Sequence, residues 1–113
     1  MKTLMRLAVL IAVFGASLPA QTAPNWTGHK EISYLQVMEH GGFLISFTTP
    51  LSTPCASAGP TVVYIYPGMN AMSVDGVKAH YATALAAYLS GKKINVMYDD
   101  ASTYCWGAYI VIQ

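Results

Sequence analysis

Charge is the first thing this sequence has little of, with six Lys and Arg and five Asp and Glu in 113 residues. A duplex-binding protein sets several cations against phosphates, and here the only adjacent basic pair is Lys92-Lys93, which reads as the solvated start of a strand. Nucleic acid therefore has no electrostatic motive to bind, and the same scarcity argues against a polybasic membrane-surface site. Cysteine is nearly absent as well. Cys55 and Cys105 lack CxxC spacing, and His29, His40 and His80 fall on a loop, a turn and a helix, so they make a poor zinc ligand set. Phosphate-binding glycine loops, nucleophile elbows and metalloprotease helices are missing, and no internal repeat or low-complexity tract is present. Asp99-Asp100 reads as a solvated turn, since adjacent acids there point apart. No metal, cofactor or catalytic group is expected, and the chain reads as a non-enzyme.

One apolar run stands out. Lys2 and Arg6 precede Leu7 to Leu18, and Pro19-Ala20 follows, the pattern of a secretory signal peptide over residues 1–20. The run is well short of the roughly 20 residues that span a bilayer, and no second one follows, so no membrane insertion is expected after its removal. Cleavage after Ala20 leaves 93 residues, one small secreted or periplasmic domain. Its charges are Lys30, Lys78, Lys92 and Lys93 against Glu31, Glu39, Asp75, Asp99 and Asp100, a net charge of −1. In an exported chain two cysteines favour a disulfide, and Cys55 with Cys105 is the only intramolecular pairing. In the chain-entropy model such a loop is worth roughly 4 kcal/mol, a large share of a small domain's stability.

The clearest local signals surround one helix. Val74, Val77, Tyr81, Leu85 and Tyr88, with Ala84 alongside, recur at three- and four-residue steps, so they share a face over about Val74 to Ser90. Ser73 suits the N-cap, Asp75 the positive helix start, and Gly91 the left-handed residue that ends it. Before the helix, Gln21 to His29 reads as a mature leader lying on the domain, with Asn25-Trp26-Thr27 matching a glycosylation sequon. The domain proper is expected over residues 30–113. Lys30 to Glu39 reads as a strand with Ile32, Tyr34 and Met38 on one side and Leu35 and Val37 on the other. Gly41-Gly42 turns the chain into a second strand at Phe43 to Thr48, making a hairpin. After a Ser/Thr/Pro-rich loop, Thr61 to Tyr66 is a third strand. Beyond the helix, Ile94, Val96 and Tyr98 alternate as the inner row of strand four, and Tyr104 to Ile112 is strand five, with Trp106, Ala108, Ile110 and Ile112 on one face.

The order β-β-β-α-β-β gives a mainly β fold with one helix, and it is that of an OB-fold-like small barrel. An open antiparallel sheet packed on the helix satisfies the same pattern. Eight Tyr and two Trp exceed what so small a core needs. Tyr81, Tyr88 and Tyr98 suit the core. Tyr64, Tyr66, Tyr104, Trp106 and Tyr109 lie on or near strands whose two faces can differ, and aromatic rings with polar tips suit sugar stacking or a protein partner. Tyr64, Tyr66, Tyr104 and Trp106 are the candidate ligand-binding residues, with Tyr104 and Trp106 forming an exposed platform beside the Cys105 bridge.

Trp26-Thr27-Gly28 shortly after the leader, Ile32-Ser33 with Leu35 in the first strand, and a helix ending Tyr88-Leu89-Ser90-Gly91 before an alternating strand span most of the mature chain. In these features the chain resembles the small exported OB-fold proteins related to the binding (B) subunit of subtilase-cytotoxin-type AB5 toxins. The resemblance implies a homo-oligomeric ring that recognises sialylated glycans. Gly28 and His29 stand where the toxin subunits carry a sugar-contacting serine, so no binding residue is carried over. An exported binding module for a glycan or a protein is the expectation. The alternative is a periplasmic inhibitor or immunity-type protein that blocks an enzyme through an exposed loop such as Ser52 to Pro60.

Overall fold

The computed structural model describes residues 25–113. The expected signal peptide, residues 1–20, and residues 21–24 of the expected leader lie outside that range. The elements are β1 Asn25–Trp26, β2 Ile32–Val37, β3 Phe43–Phe47, β4 Val62–Ile65, a short 3-10 turn Met69–Ala71, α1 Val74–Ser90, β5 Ile94–Tyr98 and β6 Gly107–Ile112. They form two three-stranded antiparallel sheets, ordered β2-β3-β4 and β1-β5-β6, with the helix against them. The strands thus divide between two sheets instead of sharing one open sheet.

The helix boundaries follow from its caps. Ser73 Oγ accepts from the Gly76 amide at 2.9 Å, Asp75 lies in the first turn, and Gly91 ends the helix at φ 69. Its buried face differs from the one the spacing suggests. Val77, Ala84 and Ala87 are buried, whereas Val74 is 60% and Tyr88 42% exposed, so Tyr88 is not a core residue. Small residues bring the helix axis close to the strands, and the face narrows to what lies under it. Tyr81 stays, set edge-on to Phe43 with ring centroids 5.2 Å apart. The His80 ring lies between two carbonyl oxygens, Gly76 O at 2.7 Å and Ala108 O at 3.0 Å, and so ties α1 to β6.

Two β-bulges set which side chains face inward. In β2 the register shifts between Ile32 and Tyr34, so Leu35 opposes Ile45 and Tyr34 opposes Ser46. Ile32 and Leu35 therefore share the inner side, and Tyr34 turns outward, correcting the simple alternation expected of this strand. In β6, Tyr98 opposes Gly107 while Met97 opposes Tyr109, which leaves Ala108 as the extra residue. Ile110 and Ile112 face inward with Val96 and Ile94, but beyond the bulge it is Gly107 that points in. Trp106 is thereby placed on the face opposite to Ile110 and Ile112, another correction to an unbroken alternation.

Between the sheets and α1 lies a core of Phe43, Ile45, Phe47, Val63, Ile65, Ile94, Val96 and Tyr98. Asn25 and Trp26, expected in a leader, are a strand in their own right, paired with Tyr98 and Met97. Thr27 extends that pairing. Its amide donates to Val96 O at 2.9 Å, and its hydroxyl accepts from the Val96 amide at 3.0 Å. Two single bridges cross between the sheets, antiparallel at Lys30 and Ile94 and parallel at Tyr64 and Trp106.

Cys55 and Cys105 are joined, with Cα atoms 5.5 Å apart and a separation of 50 positions in sequence. Both are buried, and the surrounding polar groups form one network. Asn25 Nδ2 donates to Thr53 Oγ1 at 3.0 Å and to the Asp100 carboxylate, and the Tyr98 hydroxyl donates to Thr53 O at 3.1 Å. Replacing both cysteines by alanine is expected to lower unfolding free energy by about 4 kcal/mol, the loop-closure value, measured by urea denaturation of oxidised and variant protein.

Candidate functional site

Tyr64, Tyr66, Tyr104 and Trp106 come from two separate stretches, β4 with the residue after it and the segment entering β6, and the fold brings all four together. Tyr64 and Tyr66 are two residues apart and so share a face, the outer one, since the alternate residues Val63 and Ile65 are fully buried. Tyr104 and Trp106 flank Cys105, whose side chain points inward to its disulfide. Ring centroids are 5.5 Å apart for Tyr64 and Tyr104, 6.1 Å for Tyr64 and Trp106, 5.5 Å for Tyr104 and Trp106, and 5.7 Å for Tyr66 and Trp106. With Met38 they line an open cavity of about 270 Å³. Tyr109, the fifth aromatic of this group in the sequence, stands apart. It lines a separate cavity of about 490 Å³ with Asn70, Met97, Tyr98, Asp99, Ala101 and Ala108.

The backbone under the rings is held at several points. The parallel bridge brings the Tyr64 amide to Cys105 O at 3.2 Å. Trp106 O accepts from Asn70 Nδ2 at 2.6 Å and from the Asp99 amide at 3.0 Å, while the Trp106 amide donates to Ser102 Oγ at 3.1 Å. Asn70 has φ 52, Ala71 φ 57 and Cys105 φ 51, left-handed conformations that cost a non-glycine residue on the order of 1 kcal/mol each. They persist because the disulfide, the side chain of Asn70 and the β4 contact fix the segments around them. The rings are thus mounted on a backbone that is set before any ligand arrives.

Met38 and Gly42 belong to the site and were not among the residues singled out from the sequence. Met38 sits at the β2–β3 turn, where its amide donates to Gly42 O at 2.8 Å. Gly42 makes room for Tyr66: a Cβ there would run into the Tyr66 ring and lie 2.8 Å from Ile65 O. The three histidines are not gathered. His29 and His40 are exposed, His40 beside Glu39 at 3.5 Å, and His80 is engaged between two backbone carbonyls. Among the described residues no group of three or more His, Cys, Asp or Glu side chains is placed to hold a metal ion.

No family model matches the chain, and neither a curated protein nor a solved structure matches it. Among the described residues no helix is long and apolar enough to cross a membrane. The contact at Gly42 gives a direct test of how the site is supported. Gly42→Ala is expected to cost about 1–3 kcal/mol, because the new methyl group meets backbone as well as a ring, and to displace Tyr66. Denaturant unfolding checks the first effect and the near-ultraviolet circular dichroism of the aromatic cluster the second.

Proposed function

We propose that this chain is an exported, non-enzymatic binding module that recognises a glycan or a protein through the outer aromatic face of Tyr64, Tyr66, Tyr104 and Trp106. The observation that carries the reading is the convergence of these four side chains, from two distant stretches, on one open cavity. Aromatic anchors with polar tips, presented on a fixed backbone, give contact area at little entropic cost. The disulfide suits an oxidising compartment, which supports export.

An OB-fold-like barrel is the architecture proposed with it, supported by the two inter-sheet bridges. Through them the strands follow one another as β2, β3, β4, β6 and β5, with Lys30, just before β2, returning to Ile94 of β5. The resemblance to AB5 toxin binding subunits supports a homo-oligomer. So do β2 and β6, each hydrogen-bonded to one full strand and carrying exposed Tyr34, Val37, Tyr109 and Val111. A second reading, an inhibitor acting through Ser52 to Pro60, is favoured by the bracing of that loop. Leu51 N donates to Pro60 O at 2.8 Å and Ser57 N to Thr103 O at 3.0 Å, and Cys55 anchors its middle.

Tyr104→Ala combined with Trp106→Ala is expected to leave the protein folded and to weaken binding by about tenfold or more, read on a glycan array and in a pull-down from the same cells. Full binding by the folded double variant refutes the aromatic site, and loss of binding on substituting the exposed loop residues Ser52 and Pro54 instead favours the inhibitor reading. Light scattering on the oxidised protein is expected to give a mass of several subunits, and a monomer removes the ring.

A further inference from the structure

We propose that the cavity framed by Tyr64, Tyr66, Tyr104 and Trp106 is selective for a methylated ammonium group, free or as the choline substituent of a larger molecule. This rests on the aromatic recognition site proposed above and names the chemistry of its ligand. Tyr64, Tyr104 and Trp106 form a nearly equilateral triangle, with centroid separations of 5.5, 5.5 and 6.1 Å. A charge about 3.5 Å above its centre lies about 5 Å from all three centroids, inside the roughly 6 Å range of the cation–π attraction. Tilts of 67°, 53° and 73° between these rings mean that no two are coplanar. A flat sugar face can cover one of them, whereas a compact methylated cation above the triangle is within range of all three.

The polar chemistry of the lining points the same way. Met38 and the four aromatic residues supply three phenol hydroxyls and one indole N–H, with no amide or carboxylate side chain among them. A fully methylated ammonium has no N–H to satisfy, so this lining leaves none of its groups unpaired. The lining also carries no positive charge. No lysine lines the cavity. No other charged side chain lines it either, so nothing in the lining repels a cation. The lysines are placed elsewhere. Lys30 Nζ donates to Thr49 Oγ1 at 2.7 Å, Lys78 lines a cavity between α1 and the β2–β3 hairpin, and Lys92 and Lys93 precede β5.

The test compares choline with 3,3-dimethylbutan-1-ol, its uncharged isostere, by titration calorimetry and by the fluorescence of Trp106 in a Trp26→Phe background. Choline is expected to bind about tenfold tighter than the isostere, the scale of a desolvated cation–π contact. Tyr104→Ala should abolish the difference, and Trp106→Phe, which keeps a π face, should retain most of it. Equal affinity for the two compounds overturns the proposal. Choline failing while a sialylated glycan or a proline-rich peptide binds at the same aromatic residues overturns the ligand class and leaves the recognition site standing. Failure of all three with folded protein overturns both. Phosphatidylcholine vesicles, set against phosphatidylglycerol vesicles, distinguish a lipid headgroup from a soluble source of the same cation.

Discussion

Where β4, β5 and β6 converge, a backbone fits freely and a side chain only if its neighbours shift, and Gly107 occupies that place. A Cβ on Gly107 would lie 3.1 Å from both Val63 and Ile65 and 3.4 Å from Val96, three fully buried residues of two sheets. With Gly107 facing inward, its neighbour Trp106 faces outward, and the extra residue at Ala108 then returns Ile110 and Ile112 to the inner side. Cys105 turns in to meet Cys55, and Tyr104 joins Trp106 on the surface. The aromatic site is thus a product of close packing on the other side of the same strand.

Stability and the geometry of the aromatic cluster are linked by this arrangement. The disulfide that restrains the unfolded chain also fixes the residue between Tyr104 and Trp106, and the parallel contact with β4 sets Tyr64 and Tyr66 beside them. Asn70 contributes from the turn before α1 by holding Trp106 O. Each support belongs to a different element, so the rings converge only when both sheets and the disulfide are in place. A partly unfolded chain would display these side chains without the cavity.

Much of this was legible in the residues. The limits of α1 could be read because Ser73, Asp75 and Gly91 each carry a local, physically determined role, and the order of the strands because β-branched and aromatic runs are separated by Gly and Pro. The chain-wide excess of Tyr and Trp on strands whose faces can differ pointed to four members of the aromatic cluster and to Tyr109, which stands apart from it. Side-chain direction was harder to read. A bulge at Ser33 or Ala108 leaves little trace in composition, and it reverses every residue beyond it, so Tyr34 and Trp106 took faces that plain alternation denied them. Val74 and Tyr88 have the spacing of buried residues, yet the helix lies too close to the strands, on Val77, Ala84 and Ala87, for its ends to be covered. Met38 and Gly42 escaped notice because their contribution depends on where Tyr66 comes to rest.

The amide of Asn25 has both of its N–H bonds committed, one to Thr53 and one to Asp100, and the hydroxyl of Thr27 is buried in the pairing with Val96. A sugar attached to Asn25, in a host that modifies Asn-X-Thr sequences, would take the place of one of those N–H bonds. The choice of expression organism is therefore a structural variable wherever that sequon is used: the modified chain would lose a bond at the join between the first strand, the cysteine loop and the last turn.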